Sequence, residues 1–253
     1  MAESGVGKVR MFDDFVGFNV PVAGTLTSLL DPVFTPGGWQ LVGQGINEAD
    51  SGFVGLSSDG VNGVVQLTTT NEDVHTAGFQ TNSCFDMGLN GGIMMEARVR
   101  LAALTARNIF FGISDVRTVG LQVLEGEIIS GGTVTLTLTA SDLCGFYYCT
   151  DLTDTADWHG VYNGGSTAGE TVSTSVDLND DAVAGEFQLL KLTISDTGTA
   201  RWYIDGIEVQ KVTNAVSTSV DMNAILMVEA DSAAVATLDV DYLLLETNRD
   251  WTV

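Results

Sequence analysis

The chain has 253 residues, with 33 acidic against 10 basic side chains, a formal net charge of -23, and 45% hydrophobic residues. That length and apolar content support a packed core and exclude a disordered chain, while the charge opposes binding to nucleic acid phosphates and to anionic membranes. Three prolines against 29 glycines fit many short strands joined by glycine turns, not long helices.

Pro21, Pro32 and Pro36 fall in or beside residues 1–35, which read as an extended N-terminal arm that lies on the domain or reaches a neighbour. Residues 36–253 read as one domain without a composition shift or an internal repeat. Short strands are predicted at 39–42 and 64–69. In Ile93–Leu101, Glu96, Arg98 and Arg100 share one face while Met95, Ala97, Val99 and Leu101 share the other, the period of a half-buried strand. Strands follow at 109–113, at 133–139 with threonine on the wet face, and at 145–149. Residues 163–181, rich in Gly, Ser and Thr, read as a long loop or hairpin, and a short helix or turn is placed near Asp142 or Asp180 and Asp181. Leu190, Leu192 and Ile194 alternate with Lys191 and Thr193. Runs at 200–205 and 207–212 meet at Asp205-Gly206, a hairpin signal, with Trp202 and Ile204 placed in the core from one strand and Ile207 and Val209 from the next. Strands at 225–229 and around Leu238, Val240, Tyr242 and Leu244 close the series. A dozen or more such strands imply an all-β sandwich or barrel.

Little catalytic chemistry is visible. A nucleophilic triad needs a histidine base, and neither His75 nor His159 accompanies a G-x-S-x-G or another nucleophile motif. Glycoside hydrolysis needs two carboxylates at a set separation; Asp239 and Asp241 share a strand face without a glutamate partner, and Glu125 and Glu127 are split by Gly126. Asp151, Asp154 and Asp157 are calcium candidates, and Asn179-Asp180-Asp181 is a second acidic cluster, though neither matches a full D-x-D-x-D-G loop and a solvated acidic loop is the competing reading. The cysteines lack C-x-x-C spacing, so zinc is disfavoured, and Cys84, Cys144 and Cys149 read as idle thiols; no cofactor motif is present. Tyr147, Trp158 and Tyr162 are candidates for stacking on a sugar, with an aromatic sandwich core as the competing reading. The N-terminal MAESGVGKVRMFDDF has no apolar run of signal-peptide length, and no run reaches membrane-helix length, so synthesis in a cytoplasm is expected.

The order of motifs resembles a known group. Phe12-Asp13-Asp14-Phe15, then Trp39, then Gly92 to Leu101, Gly145-Phe146, Trp158 with Val161, Trp202 to Gly206 and Leu238 to Tyr242 together resemble concanavalin A-like jelly-roll domains, and more narrowly lectin-like structural proteins of phages. The resemblance covers most of residues 10 to 246. It implies a jelly-roll sandwich of two antiparallel sheets in a virion component: a non-enzymatic head decoration (cement) protein, or a glycan-binding module of a head or tail fibre. It carries over neither the Glu-x-Asp-x-Glu of the glucanase branch nor recognisable lectin metal ligands. The implied partners are the major capsid protein or other virion proteins, in a homo-oligomer for which a trimer suits a capsid three-fold, with glycan in the fibre alternative and neither nucleic acid nor membrane. On this reading Phe12, Asp13, Asp14 and Phe15 are docking candidates from the arm, and Arg98 and Arg100, grouped in sequence with Arg107 and Arg117, pair with acidic neighbours on the virion surface.

Overall fold

The computed structural model describes residues 7–16, 34–43, 53–57, 63–118 and 123–249. They fold into two large antiparallel sheets packed face to face, the arrangement that alternating strands dictate when each must bury one side.

The eight-stranded sheet contains β1 (Lys8–Asp13), β3 (Phe53–Leu56), β4 (Val65–Thr68), β6 (Ile93–Leu101), β13 (Phe187–Ile194), β14 (Ala200–Ile204), β15 (Ile207–Val212) and β17 (Thr237–Asn248). Its order is β15-β14-β13-β6-β17-β4-β3, and β1 pairs with the second half of β17. The seven-stranded sheet runs β12 (Asp177–Asp181), β11 (Asp157–Asn163), β10 (Leu143–Cys149), β7 (Arg107–Ser114), β16 (Asn223–Ala230), β5 (Thr76–Gln80) and β2 (Gln40–Val42). A small hairpin of β8 (Ile129–Gly131) and β9 (Leu136–Leu138) stands apart, and the one helix among the described residues is the single turn α1 (Ser173–Val176).

The main core lies between the sheets. Met95, Ala97, Val99 and Leu101 from β6 meet Phe111, Phe146, Trp158 and Leu226 from the other sheet. Phe146 and Tyr148 both pack edge-on against Trp158. Trp202 is fully buried, and its Nε1–H donates to the Gly145 carbonyl at 2.7 Å, so the ring's polar end is satisfied within the core. Gly145 lies opposite Gly112, where a Cβ on either would strike the other strand's backbone. Cys144 and Cys149 point to opposite faces of β10, one to each core cluster, and all three thiols are free.

Asp205 and Gly206 both have positive φ, 49° and 85°, as a type I′ hairpin turn requires. Trp202 and Ile204 occupy the core as the pattern predicts, but Ile207 is 68% exposed and Val209 only partly buried. Position accounts for it: β15 is an edge strand, with a neighbour on one side only, and its register shifts between Trp202 and Tyr203. Other segments also differ from their reading in sequence. Lys8–Asp13, read as part of an arm, is a paired strand, while 1–6 and 17–33 lie outside the described residues. Of the alternating run 133–139, only Leu136–Leu138 is strand. The segment 163–181, read as loop or hairpin, holds α1 and β12.

Candidate functional surfaces

The outer face of the eight-stranded sheet collects the scarce cations. By strand period Lys8, Arg10, Arg98, Arg100, Lys191, Arg201 and Lys211 all alternate onto it, from a chain with 10 basic residues. Acids come with them. Arg98 Nη1 donates to Asp241 Oδ2 at 2.6 Å, and Arg100 donates from Nε and Nη2 to Asp239 Oδ2 at 2.9 and 2.5 Å. Gln66 donates to the other Asp239 oxygen at 2.9 Å. Arg10 pairs with Glu246, Lys191 with Glu96 and Arg201 with Glu208. The Phe187 ring lies under both guanidinium groups, 4.3 Å from the Arg98 carbon and 4.8 Å from that of Arg100. Tyr242 donates to Glu96, and its hydroxyl pKa is raised by burial and by that carboxylate.

The Phe12-Asp13-Asp14-Phe15 motif divides across the sheet. Phe12 is on the outer face, 6.2 Å from the Tyr242 ring. Asp13 is buried and accepts the amides of Phe15 at 2.9 Å and Gly37 at 3.0 Å, and Phe15 stacks inside on Phe79 at 5.5 Å. Two of the four docking candidates are thus committed to folding: Asp13 ties the end of β1 to the chain near β2, and Phe15 fills the core. Asp14 is exposed. Arg107 and Arg117 lie away from Arg98 and Arg100: Arg107 is buried, donating to the Thr105 and Thr237 carbonyls, and Arg117 reaches Gln40 and Thr81.

The outer face of the seven-stranded sheet is covered. A segment carrying β8 and β9 lays Leu124, Ile128, Ile129 and Leu136 over Phe110, Tyr147, Ile225 and Met227, forming a second apolar cluster. The cover is fastened by Glu229, a fully buried side chain at the end of β16. Glu229 accepts the Leu124 amide at 2.7 Å and the Glu125 amide at 3.1 Å, with the Asn108 amide at 3.4 Å. Burial, opposed by those amides, pushes its pKa up to about 7. The only signal for it in the sequence is an acid closing an apolar run.

The three sugar-stacking candidates are all buried: Tyr147 lies beneath the cover, Trp158 donates to Gln188 Oε1 at 3.1 Å inside the core, and Tyr162 packs tilted against Trp202. Their aromatic character is spent on the two cores, and none presents a ring face to solvent. Two open depressions, of about 390 and 320 Å³, are lined by threonine, serine and charged side chains together with Ile194 in the first and Leu104 and Ala106 in the second, and neither holds an aromatic ring.

The acidic candidates separate. Asp151 lies near Asp231 and Asp73, and its pKa is raised by burial and then by those two charges. Asp154 and Asp157 instead meet Asp177. Asp157 lies opposite Asp181 across the β11–β12 pairing, and burial, a hydrogen bond with Asp181 and the charges of Asp177, Asp181 and Asp154 push its pKa to about 7. On β17, Asp239 and Asp241 are each committed to an arginine.

No protein-family model and no curated protein matches the chain. Solved structures do match. A protein of unknown function from Shewanella oneidensis MR-1 superposes with a TM-score of 0.59 at 11% identity, over 100% of this chain and 92% of that one. The carbohydrate recognition domain of Emp47p gives 0.55 at 12% identity, over 87% and 93%. The Bacillus licheniformis β-glucanase gives 0.53 at 12% identity, over 98% and 99%. The chain therefore has the concanavalin A-like jelly-roll fold, shared by lectin-type and glucanase proteins. At these identities the likeness is one of fold, which hosts both binding and catalysis.

Proposed function

We propose that the chain is a non-enzymatic structural protein of a phage particle, made in the infected cell, that decorates or stabilises the capsid surface as a homo-oligomer. The observation that carries this reading is the outer face of the eight-stranded sheet. Copies of a chain with net charge -23 repel one another and any acidic shell. Contact costs least where charge is locally compensated, and the cations gathered beside Glu96, Glu208, Asp239, Asp241 and Glu246 make such a surface. A module repeated around a particle multiplies each modest contact.

Two observations support a non-catalytic, non-lectin role. The carboxylate pair on β17 is neutralised by Arg100 and Arg98, and so is poorly placed to share a proton or attack a sugar. The aromatic candidates for glycan stacking are buried.

Quantitative mass spectrometry of purified particles tests the reading. On the order of hundreds of copies per particle are expected for a decoration protein that follows capsid symmetry. Lys191→Glu with Lys211→Glu, both on solvent-facing positions, should leave the fold intact and lower particle occupancy. Absence from particles overturns the proposal. A handful of copies together with glycan-array binding replaces it with the fibre lectin.

A further inference from the structure

One end of the eight-stranded sheet holds a hollow built from two rows of side chains. Thr193, Arg201 and Lys211 lie directly opposite one another across β13, β14 and β15. Residues directly opposite in an antiparallel pair project to the same face, as do residues two apart on one strand. Ser195, Thr199 and Thr213 therefore form a second row on the same outer face, just past the strand ends, where the Ser195 amide donates to the Thr199 carbonyl at 2.9 Å. The turn between β13 and β14 is tight. Gly198 has a φ of 74°, and Ser195 Oγ accepts the amides of Thr197 at 3.3 Å and Thr199 at 3.1 Å. Short hydroxyl side chains beside two long cations leave the open depression of about 390 Å³, with buried Ile194 also in its lining.

The chemistry of this hollow differs from that of the chain as a whole. None of the 33 acidic residues lines it. Arg201 is engaged on one side: its Nη1 donates to Glu208 Oε2 at 2.7 Å, and Tyr203, which donates to the same carboxylate, lies beside it. Lys211 makes no hydrogen bond or ion pair among the described residues, although its charge reaches Glu208. Glu208 thus offsets one of the two cations and leaves the hollow positive. The hydroxyls of Thr193, Thr199 and Thr213 are uncommitted among the described residues and can donate to an oxygen. A single surplus positive charge with hydroxyl donors around it suits a monoanion with two oxygens, a carboxylate. A phosphate group brings about 1.5 to 2 charges at neutral pH and is matched less well. No aromatic ring lines the hollow for a sugar to stack on.

We propose that this hollow seats one carboxylate, an aspartate or glutamate side chain of an acidic protein surface docked on the open sheet, with Lys211 as its ion-pair partner and the threonine hydroxyls around it. The inference deepens the docking reading above and rests on it for the source of the carboxylate. Charge complementarity favours that source. So does continuity, because one row along the same three strands lie Lys191, Tyr203 and Glu208 of the charge-compensated face.

The test titrates the full chain at about 0.15 M salt, where a Debye length of about 8 Å screens its overall negative charge. The probes are N-acetylglutamate amide, galacturonate and inorganic phosphate, and amide NMR shifts report binding. The glutamate probe is expected to bind saturably in the millimolar range, with shifts confined to residues 193–201 and 211–213. Lys211→Met removes the charge without adding another and should weaken this binding by about tenfold. Arg249→Met, which removes an exposed cation beyond the end of β17, should leave it unchanged. Absence of a saturable shift, or equal losses in the two variants, overturns the site. Tighter binding of phosphate overturns the choice of carboxylate, and tighter binding of galacturonate replaces the protein occupant with a sugar. Particle occupancy separates this inference from the docking reading. A chain that binds the glutamate probe but is absent from particles keeps the carboxylate site and loses the docking reading. Full occupancy by Lys211→Met overturns the hollow's part in docking.

Discussion

The outer faces of the two sheets meet the same demand in opposite ways. Each sheet has one side against the shared core and one side left over. The eight-stranded sheet leaves its outer side to water and fills it with paired charges around Phe187. The seven-stranded sheet closes its outer side with a second apolar cluster, held down by a carboxylate with no charged partner among its hydrogen bonds. One face is therefore available for contacts, and the other contributes stability. Where a jelly roll could open a groove, this chain has invested the surface in packing.

The largest expected effect is on the covered face. Phe110 is fully buried between the seven-stranded sheet and its cover. Phe110→Ala should cost about 3–5 kcal/mol, the usual range for emptying a buried aromatic site. Phe187→Ala, which removes a ring from the open face, should cost about 1 kcal/mol or less. Urea unfolding of both variants measures the difference, and equal costs would dissolve the contrast.

Glu229 sharpens it next. Its pKa is raised from 4.5 to about 7, chiefly by burial. The folded state thus holds this proton more tightly than the unfolded state does. The resulting stability is fully present below about pH 4.5 and is lost as pH rises through about 7, amounting to about 3 kcal/mol at most. Glu229→Gln removes the charge and keeps the shape. The stability difference between parent and variant should shift in the variant's favour from pH 4.5 to pH 8. Parallel stability curves would mean that Glu229 titrates as it does in the unfolded chain.

The same contrast explains what could be read in advance. Strands on the open face alternate visibly, because one side is wet; Ile93–Leu101 has the bounds its pattern predicts. Apart from edge strand β12, strands of the covered sheet are buried on both sides, so the alternation disappears. Thr76–Gln80 is buried along its whole length and offers no polar beat, and Asp157–Asn163 displays aromatic residues that pass for a binding platform. The run 133–139 misleads in the other direction: its threonines alternate, but the segment is mostly cover and turn, with only Leu136–Leu138 in a strand and Thr135 in an isolated bridge to Val172. The acidic clusters at 151–157 and 179–181 were both visible in sequence. What places Asp154 and Asp157 beside Asp177, and leaves Asp151 with Asp231, is the β11–β12 register, a long-range pairing that no local pattern encodes.

The smallest effects separate two ion pairs on the open face that look alike in sequence. The Asp239 side chain is 4% exposed, and one of its oxygens takes two bonds from Arg100. Arg98 and Asp241 are 43% and 21% exposed. Arg100→Met leaves a buried carboxylate with only Gln66, and should cost about 3 kcal/mol, the lower end for breaking a buried pair. Arg98→Met removes a solvated partner and should cost about 0.5 kcal/mol. Salt tells the two apart further. At 1 M NaCl the screening length falls to about 3 Å, so the Arg98 effect should vanish while most of the Arg100 effect persists, because desolvation of Asp239 is not relieved by ions in the bulk. If both costs fall together with salt, Asp239 is more accessible than its geometry indicates. The open face would then be a loose lattice of surface charges instead of a sheet face pinned at one buried pair.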